Sequence, residues 1–377
     1  MRNVLIYRHQ LFEPSEGFIV GQAGRLRRFR PVYVGRQVMG PGPDGAERRT
    51  LAAASRTEVL RYMLARDPWP ILRRVASLEP VLIHAHFGVE GVYALEVSRH
   101  LAVPLVTTFH GFDATTSRRD LLRSGNVSWI RYVLHRGRLA QEGRLFVCVS
   151  EFIREKVLAL GFPPERTVVH YIGVEVERIA ARSGSVAERQ GGEATILHVA
   201  RLVEKKGTRY LLDAFAAVRR DVPDARLVIV GDGPLRAALE AQSRALGVGG
   251  DVTFLGTQPH GTVLEWLARA AVFAQPSVTA ASGDAEGLPI GLLEAAAAGV
   301  PAVATRHAGI PEAVEHGRTG ILVAERDGRG LADGLRTLLT DEAGRQAMGA
   351  AARDLVARRF DIVRQTAELE RLYEAVL

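Results

Sequence analysis

The sequence predicts an α/β protein built from two Rossmann-like domains, each with a doubly wound, mostly parallel sheet. Three observations predict it. Short apolar runs alternate with longer amphipathic stretches from end to end, the alternation restarts once after a Gly-rich break, and 377 residues exceed one ordinary core. In the first half the strand candidates are Val4–Tyr7, Pro31–Val34, Val81–Ala85, Leu105–Thr108, Leu145–Val149 and Val168–Tyr171. They are brief, β-branched and apolar on both faces, as strands covered by helices on two sides must be.

The break falls near 175–194, where Ser183-Gly184-Ser185 and Gln190-Gly191-Gly192 are polar and Gly-rich. Beyond it the strand candidates are Thr195–Val199, Arg226–Val230, Val252–Phe254, Val272–Ala274, Pro301–Ala304 and Gly320–Val323. Helical patterns at Tyr210–Arg220, Leu235–Leu246, Val263–Ala270 and Gly291–Ala298 separate several of them, and Arg353–Leu377 reads as helix. The expected domains are therefore 1–178 and 179–358, with a C-terminal helix over 359–377.

Apolar residues make up 47% of the chain and charged residues 24%, which excludes an intrinsically disordered protein. No apolar run reaches the roughly 18–20 residues that span a bilayer, so neither a signal peptide nor a membrane helix is expected. The single cysteine, Cys148, rules out an intrachain disulfide and reads as a buried thiol in a reducing cytoplasm. The net charge of +7 is uneven: residues 1–175 hold 25 Lys/Arg against 16 Asp/Glu, and residues 176–377 hold 24 against 26. Arginines flank apolar residues at 25–30 and again at 56–74, a pattern suited to an anionic membrane surface or an anionic acceptor. An ordinary solvated, arginine-rich surface reads the same way. No nucleic-acid-binding motif accompanies the charge.

The segment richest in chemistry is Glu286-Gly287-Leu288-Pro289-Ile290, followed by an apolar helix that carries Glu294. Pro289 costs least in a first helical turn. A helix starting there presents unpaired N–H groups and a partial positive charge, suited to a phosphate or to sugar hydroxyls. A carboxylate accepts two hydrogen bonds from vicinal hydroxyls, so Glu286 and Glu294 suit a sugar ring and a ribose; taken alone they also read as a cap and a solvated helical Glu. A second segment, Val199-Ala200-Arg201 to Lys206-Gly207, places two cations after a strand, where a pyrophosphate can sit. Lys205 beside them reads as facing solvent. Third, Gly231-Asp232-Gly233 follows a strand without the third glycine of a dinucleotide fingerprint, which argues against NAD.

Glu-Gly-x-Pro with a second Glu eight residues on, Ala298-Gly299-Val300-Pro301, Gly309-Ile310-Pro311-Glu312 and Gly317-Arg318-Thr319-Gly320 together resemble family 4 of the glycosyltransferases, the group 1 domain. Arg201-Leu202 with Lys206-Gly207 resembles that family's diphosphate loop. Ser15-Glu16-Gly17-Phe18-Ile19 is similar to the Ser-Glu-Thr-Phe-Ile segment of polysaccharide-building members, with Gly17 in place of Thr. The resemblance implies a GT-B fold with a cleft between the domains and a C-terminal helix that returns to the first. It implies His110, Glu286, Arg201 and Lys206 as catalytic residues. Donor contacts would come from Glu294, Gly287, Leu288, Pro289, Ile290, Gly231 and Gly233. Acceptor-side candidates are Ser15, Glu16, Gly17, His86 and Asp113.

His84 and His86 alternate on a strand but lack metal-site companions, so no metal site is expected. His110 follows a strand directly, where an imidazole can donate to a sugar hydroxyl; Asp113 would orient it or cap the next helix. The expected activity is retaining transfer from a UDP- or GDP-sugar, without a divalent metal, in surface-polysaccharide assembly. The place would be the cytoplasm, peripherally at the inner membrane face. A soluble natural-product acceptor, a nucleotide-sugar epimerase or hydrolase of the same fold, and a non-catalytic sugar-binding partner are the alternatives.

Overall fold

The computed structural model describes residues 1–183 and 194–377, so most of the Gly-rich break, including Gly184-Ser185 and Gln190-Gly191-Gly192, lies outside the described residues. The chain forms two compact units, Met1–Gly173 with Ile362–Leu377, and Val174–Asp361. Each is described by itself.

The first unit holds β1 (Arg2–Tyr7), β2 (Phe29–Gly35), β3 (Arg48–Thr50), β4 (Leu82–His86), β5 (Leu105–Phe109), β6 (Leu145–Cys148) and β7 (Thr167–Val169). All pair in parallel in the order β3-β2-β1-β4-β5-β6-β7. Val4, Leu5, Ile6 and Tyr7 are all buried, which confirms that both faces of this sheet are covered. The sequence reading missed β3, whose Arg48-Arg49-Thr50 carries no apolar signal because it sits at a sheet edge. Strand β7 ends at Val169 instead of continuing to Tyr171; beyond it the His170 N–H still donates to the Cys148 carbonyl, and its ring Nε2 meets the Gln365 carbonyl.

The last helix, Ile362–Val376, belongs to this first unit. Its Leu369 and Tyr373 pack with Val4, Ile6, Phe29, Leu82 and Val106. The expected single helical stretch from Arg353 is interrupted at Phe360 and Asp361, where Asp361 bridges Val174. Gly173 lies so close to the returning chain that a Cβ there would come within 2.4 Å of the Ile362 Cα.

The second unit holds β8 (Thr195–Val199), β9 (Arg226–Val230), β10 (Val252–Gly256), β11 (Val272–Gln275), β12 (Ala302–Thr305) and β13 (Gly320–Val323). Their parallel order is β10-β9-β8-β11-β12-β13. Helices Thr208–Asp221 and Gly328–Thr340 pack Leu211, Leu212, Phe215, Leu331 and Leu335 onto Ile196, Leu227, Ile229 and Val303. In both units the strand order reverses direction beside the first strand, between β1 and β4 and between β8 and β11. Open α/β sheets bind ligands beyond the C-terminal ends of the strands at such a switch point. No helix among the described residues is long and apolar enough to cross a membrane.

Candidate functional site

At the switch point of the second unit, β8 runs into Arg201 and the short helix Glu204–Lys206, and β11 runs into the loop that ends at Glu286. Gly207 takes φ +65°, and a Cβ there would lie 1.8 Å from the Pro276 carbonyl oxygen, so only glycine lets these loops touch. The two loops interlock. Val278 N–H donates to the Lys205 carbonyl at 2.8 Å, and Lys205 Nζ donates to Asp284 at 2.9 Å. Lys205 is therefore a staple between the loops, which corrects its reading as a solvent-facing side chain.

Lys206 Nζ stands 2.6 Å from Glu286 Oε1, with both side chains mostly buried. Ser277 Oγ donates to the same carboxylate at 3.0 Å and takes a bond from Gln275 Nε2 at 2.7 Å. Burial is the largest influence on Glu286 and raises its pKa, but the charges of Lys206 and Lys205 and the hydrogen bond from Lys206 outweigh it and hold the group at about 2. Glu286 is thus a permanent carboxylate. Its N–H donates to His307 Nε2 at 3.1 Å, and His307 Nδ1 is 2.6 Å from Glu325 Oε1. The next two buried residues, Gly287 and Leu288, have N–H groups without an acceptor among the described residues. Pro289 is the N-cap of the helix Ile290–Ala297, and no side chain caps that helix.

Glu294 lies one turn along this helix and meets His260, with Nε2 to Oε1 at 2.7 Å. That hydrogen bond raises the pKa of His260. Arg201 is exposed and has no charged partner among the described residues. The structure therefore joins Lys206 to Glu286 directly, and holds Glu294 through a separate partner. Gly231 and Gly233 are explained by packing: a Cβ at either would meet the carbonyl oxygen of Ala200 or Leu202 at 2.0 or 2.6 Å. Both therefore have a packing requirement of their own beside the Arg201 loop.

In the first unit His110 follows β5 and its ring is bracketed by Phe87 at 4.5 Å and Phe18 at 5.1 Å between centroids. Its Nε2 is 3.1 Å from His86 Nδ1, while its own buried Nδ1 has no partner among the described residues. His86 stacks in turn on His84, which bonds Tyr373 and Thr108. Burial is the main cause that keeps His84, His86 and His110 neutral, far below the usual histidine range. His86, 3% exposed, is enclosed beneath His110, a correction to its reading as an acceptor-side contact.

Asp113, 2% exposed, is corrected as an acceptor-side contact but does orient His110, one of the two structural roles expected for it. Its carboxylate accepts the N–H groups of Gly88, Gly111 and His110 at 2.8, 3.0 and 3.2 Å, so it clamps the ends of β4 and β5 together. Glu16 is taken up by Arg8, which donates Nε and Nη2 to its two oxygens at 2.9 and 2.8 Å. Arg8 also pairs with Glu90 and lies 4.4 Å over the Phe87 ring. Ser15 and Gly17 are exposed.

Sequence reasoning missed Arg8, Glu90, His260, His307 and Glu325. A signal existed for two of them: Arg8 directly follows the first strand, and His307 precedes the Gly309-Ile310-Pro311-Glu312 motif by two residues.

Residues 185–355 match the family described as glycosyl transferases group 1, and residues 26–178 match glycosyltransferase family 4. The amylovoran biosynthesis glycosyltransferase AmsK of Erwinia amylovora is 34% identical over 293 residues, 76% of this chain and 69% of that one. A GDP-mannose-dependent alpha-(1-6)-phosphatidylinositol monomannoside mannosyltransferase of Mycobacterium tuberculosis is 37% identical over 219 residues, 56% and 57% of the two chains. Among solved structures, Anabaena Alr3699/HepE in complex with UDP-glucose superposes with a TM-score of 0.78 at 20% identity over 100% of both chains. Sucrose-phosphate synthase from Thermosynechococcus elongatus gives 0.78 at 19% identity over 100% of this chain and 99% of that one. Those two likenesses bear on the fold, which is GT-B, as the sequence predicts.

Proposed function

We propose that this chain, which belongs to the group 1 glycosyl transferases, moves a sugar from a UDP- or GDP-linked donor to an acceptor hydroxyl with retention of anomeric configuration. The observation that carries the reading is the turn after Glu286. A carboxylate held ionised by Lys206 stands beside two buried N–H groups that lack acceptors among the described residues, at the tip of a helix with no side-chain cap. Those N–H groups and the carboxylate present donors and acceptors to sugar hydroxyls, while the cations and the helix tip favour a diphosphate.

In the reaction the acceptor oxygen bonds to the anomeric carbon from the face that the diphosphate leaves. The bond from that carbon to the phosphate oxygen breaks, and the acceptor proton passes to the departing phosphate. Glu286, with a pKa of about 2, has no proton to give near neutrality and serves by orienting the sugar. Arg201 and Lys206 stabilise the charge that grows on the leaving group, and Lys206 exchanges part of its contact with Glu286 for the phosphate. Glu294 takes the ribose. The first unit supplies the acceptor side, where the half-buried His110 ring is the candidate partner for a sugar hydroxyl. No divalent metal is required in this scheme, and activity is expected to survive EDTA.

The relative named for amylovoran biosynthesis supports an acceptor in surface-polysaccharide assembly. So does one face of the first unit. On helix Arg56–Ala65, Arg56, Leu60 and Leu64 recur at four-residue spacing and stay exposed, with Trp69 exposed just beyond. Apolar side chains among arginines suit an anionic membrane at the inner, cytoplasmic face. The test is direct. UDP, GDP, ADP and dTDP are screened for a rise in melting temperature, and the matching donor sugars are then assayed with and without lipid-linked acceptors. Acceptor-dependent transfer is expected; an epimer or hydrolysed donor without acceptor would overturn the reading. Sedimentation with anionic vesicles at low and high salt tests the membrane face, and no binding at either salt removes it.

A further inference from the structure

The structure assigns His307 and Glu325 as positioning residues for the sugar-binding turn. This assignment rests on the reading of that turn given above.

His307 lies two residues beyond β12 and is 2% exposed. The Glu286 N–H points at its Nε2 from 3.1 Å, and a backbone N–H can only donate. Nε2 must therefore carry the lone pair, which leaves the proton on Nδ1, and Nδ1–H donates to Glu325 Oε1 at 2.6 Å. Glu325 is itself anchored. Its Oε2 accepts the Thr279 N–H at 2.9 Å, and its Oε1 accepts Thr279 Oγ1 at 3.2 Å. Arg326 closes the set by donating Nη2 to the Thr279 carbonyl at 2.7 Å.

The result is a relay from Thr279 through Glu325 and His307 to the backbone of Glu286. It ties the Glu286 end of the loop 279–286 to the segment that follows β12, and the Thr279 end to the segment that follows β13. The Glu286 side chain is held separately by Lys206 and Ser277, so carboxylate and backbone have independent anchors. Remove the relay and the Glu286 carboxylate keeps its place, but its N–H loses the only acceptor it has among the described residues. The peptide plane that carries the Glu286 N–H then has no partner fixing it, and the Gly287 and Leu288 N–H groups that follow lose that anchor. Nothing in the relay touches Arg201 or Glu294. The cost therefore falls on recognition of the sugar and spares that of the nucleoside diphosphate.

The experiment uses the full chain with His307→Phe, Glu325→Ala and the double variant. Transfer kinetics are read with the nucleotide sugar, and binding is read with UDP and GDP alone. Each single variant is expected to lower kcat/KM about tenfold, the effect of one buried hydrogen bond to an ionised partner. Nucleoside diphosphate affinity should stay within about twofold. The double variant should be no worse than His307→Phe, because members of one relay are not additive. Unchanged kcat/KM in both folded single variants, or an equal loss of nucleoside diphosphate affinity, overturns the assignment. Should His307→Phe fail to fold, Glu325→Ala carries the kinetic test, its side chain being partly exposed. Nitrogen-15 NMR of the histidines gives a reading that needs no donor. Wild-type His307 must be the neutral Nδ1–H tautomer, and an Nε2–H tautomer ends the proposal whether or not the chain transfers sugar.

Discussion

The two units place their strands in the same order around the first strand, yet they keep the polar groups at their switch points in opposite states. In the second unit Glu286 is buried and ionised, because Lys206 and Lys205 stand close enough to outweigh burial. In the first unit the buried His84 and His86 and the half-buried His110 are neutral, since no carboxylate stands near enough to oppose desolvation. Glu90 is an intermediate case: burial pushes it up to about 7 although Arg8 is its partner, and Glu16 competes for that same guanidinium. Burial thus fixes the charge state only where no counter-charge has been brought near. On the proposed reading, the donor side would keep its charges for a diphosphate and the acceptor side would offer neutral imidazoles to hydroxyls.

The largest expected effect bears on the charged side of this contrast. Lys206→Ala and Glu294→Ala should each lower transfer at least about 100-fold, the scale of losing a charged contact to a developing negative charge. Because Lys206→Ala also leaves Glu286 buried without its closest counter-charge, its melting temperature must be measured alongside. Near-normal rates in both folded variants would erase the distinction between the units and the donor site with it.

Acidification separates the units next. His9 has a folded pKa of about 3, below the ordinary 6.5, so its contribution is complete above 6.5 and is lost as pH falls from there towards 3. The lowered values of His84, His86 and His110 act in the same sense. Glu90 works against them, because a raised carboxylate stabilises below 4.5 and loses that stability as pH rises through 7. In the second unit the lowered Glu286 contributes fully above 4.5 and fails only as pH drops through about 2, with His198 at about 4 as a buried histidine there. Hydrogen exchange corrected for intrinsic rates should therefore show β4 and β5 losing protection before β8 and β11 between pH 6.5 and 4.5. The reverse order breaks the comparison.

The smallest effect sharpens the acceptor side. Gly17 has ordinary helical angles and open space where a Cβ would be, so nothing requires glycine. Gly17→Ala should stabilise the first unit by about 0.5–1 kcal/mol in chemical denaturation. A loss would mean that the Ser15–Ile19 segment adopts another conformation in solution.

Much of this was legible in advance. Alternating apolar runs located every strand of the second sheet, and Pro289 marked the start of its helix to within one residue. The edge strand β3 was not legible, because a strand with few buried positions has no apolar pattern. Lys206 and Glu286 were both named in advance, but not their contact; Asp113 orients His110 as one of its two readings had it, while His86, named for the acceptor side, lies enclosed against His110.

By itself the sequence determined the α/β alternation, its two halves, and the residues that carry charge next to strand ends. These follow from local rules, since burial periodicity, helix breaking by proline and glycine turns depend on neighbours a few positions apart. Only the tertiary structure decided which polar groups would meet: Arg8 with Glu90 across 82 residues, or His307 between Glu286 and Glu325. A hydrogen bond demands a match of about 3 Å between atoms, and that match depends on sheet order and loop path, which no local pattern encodes.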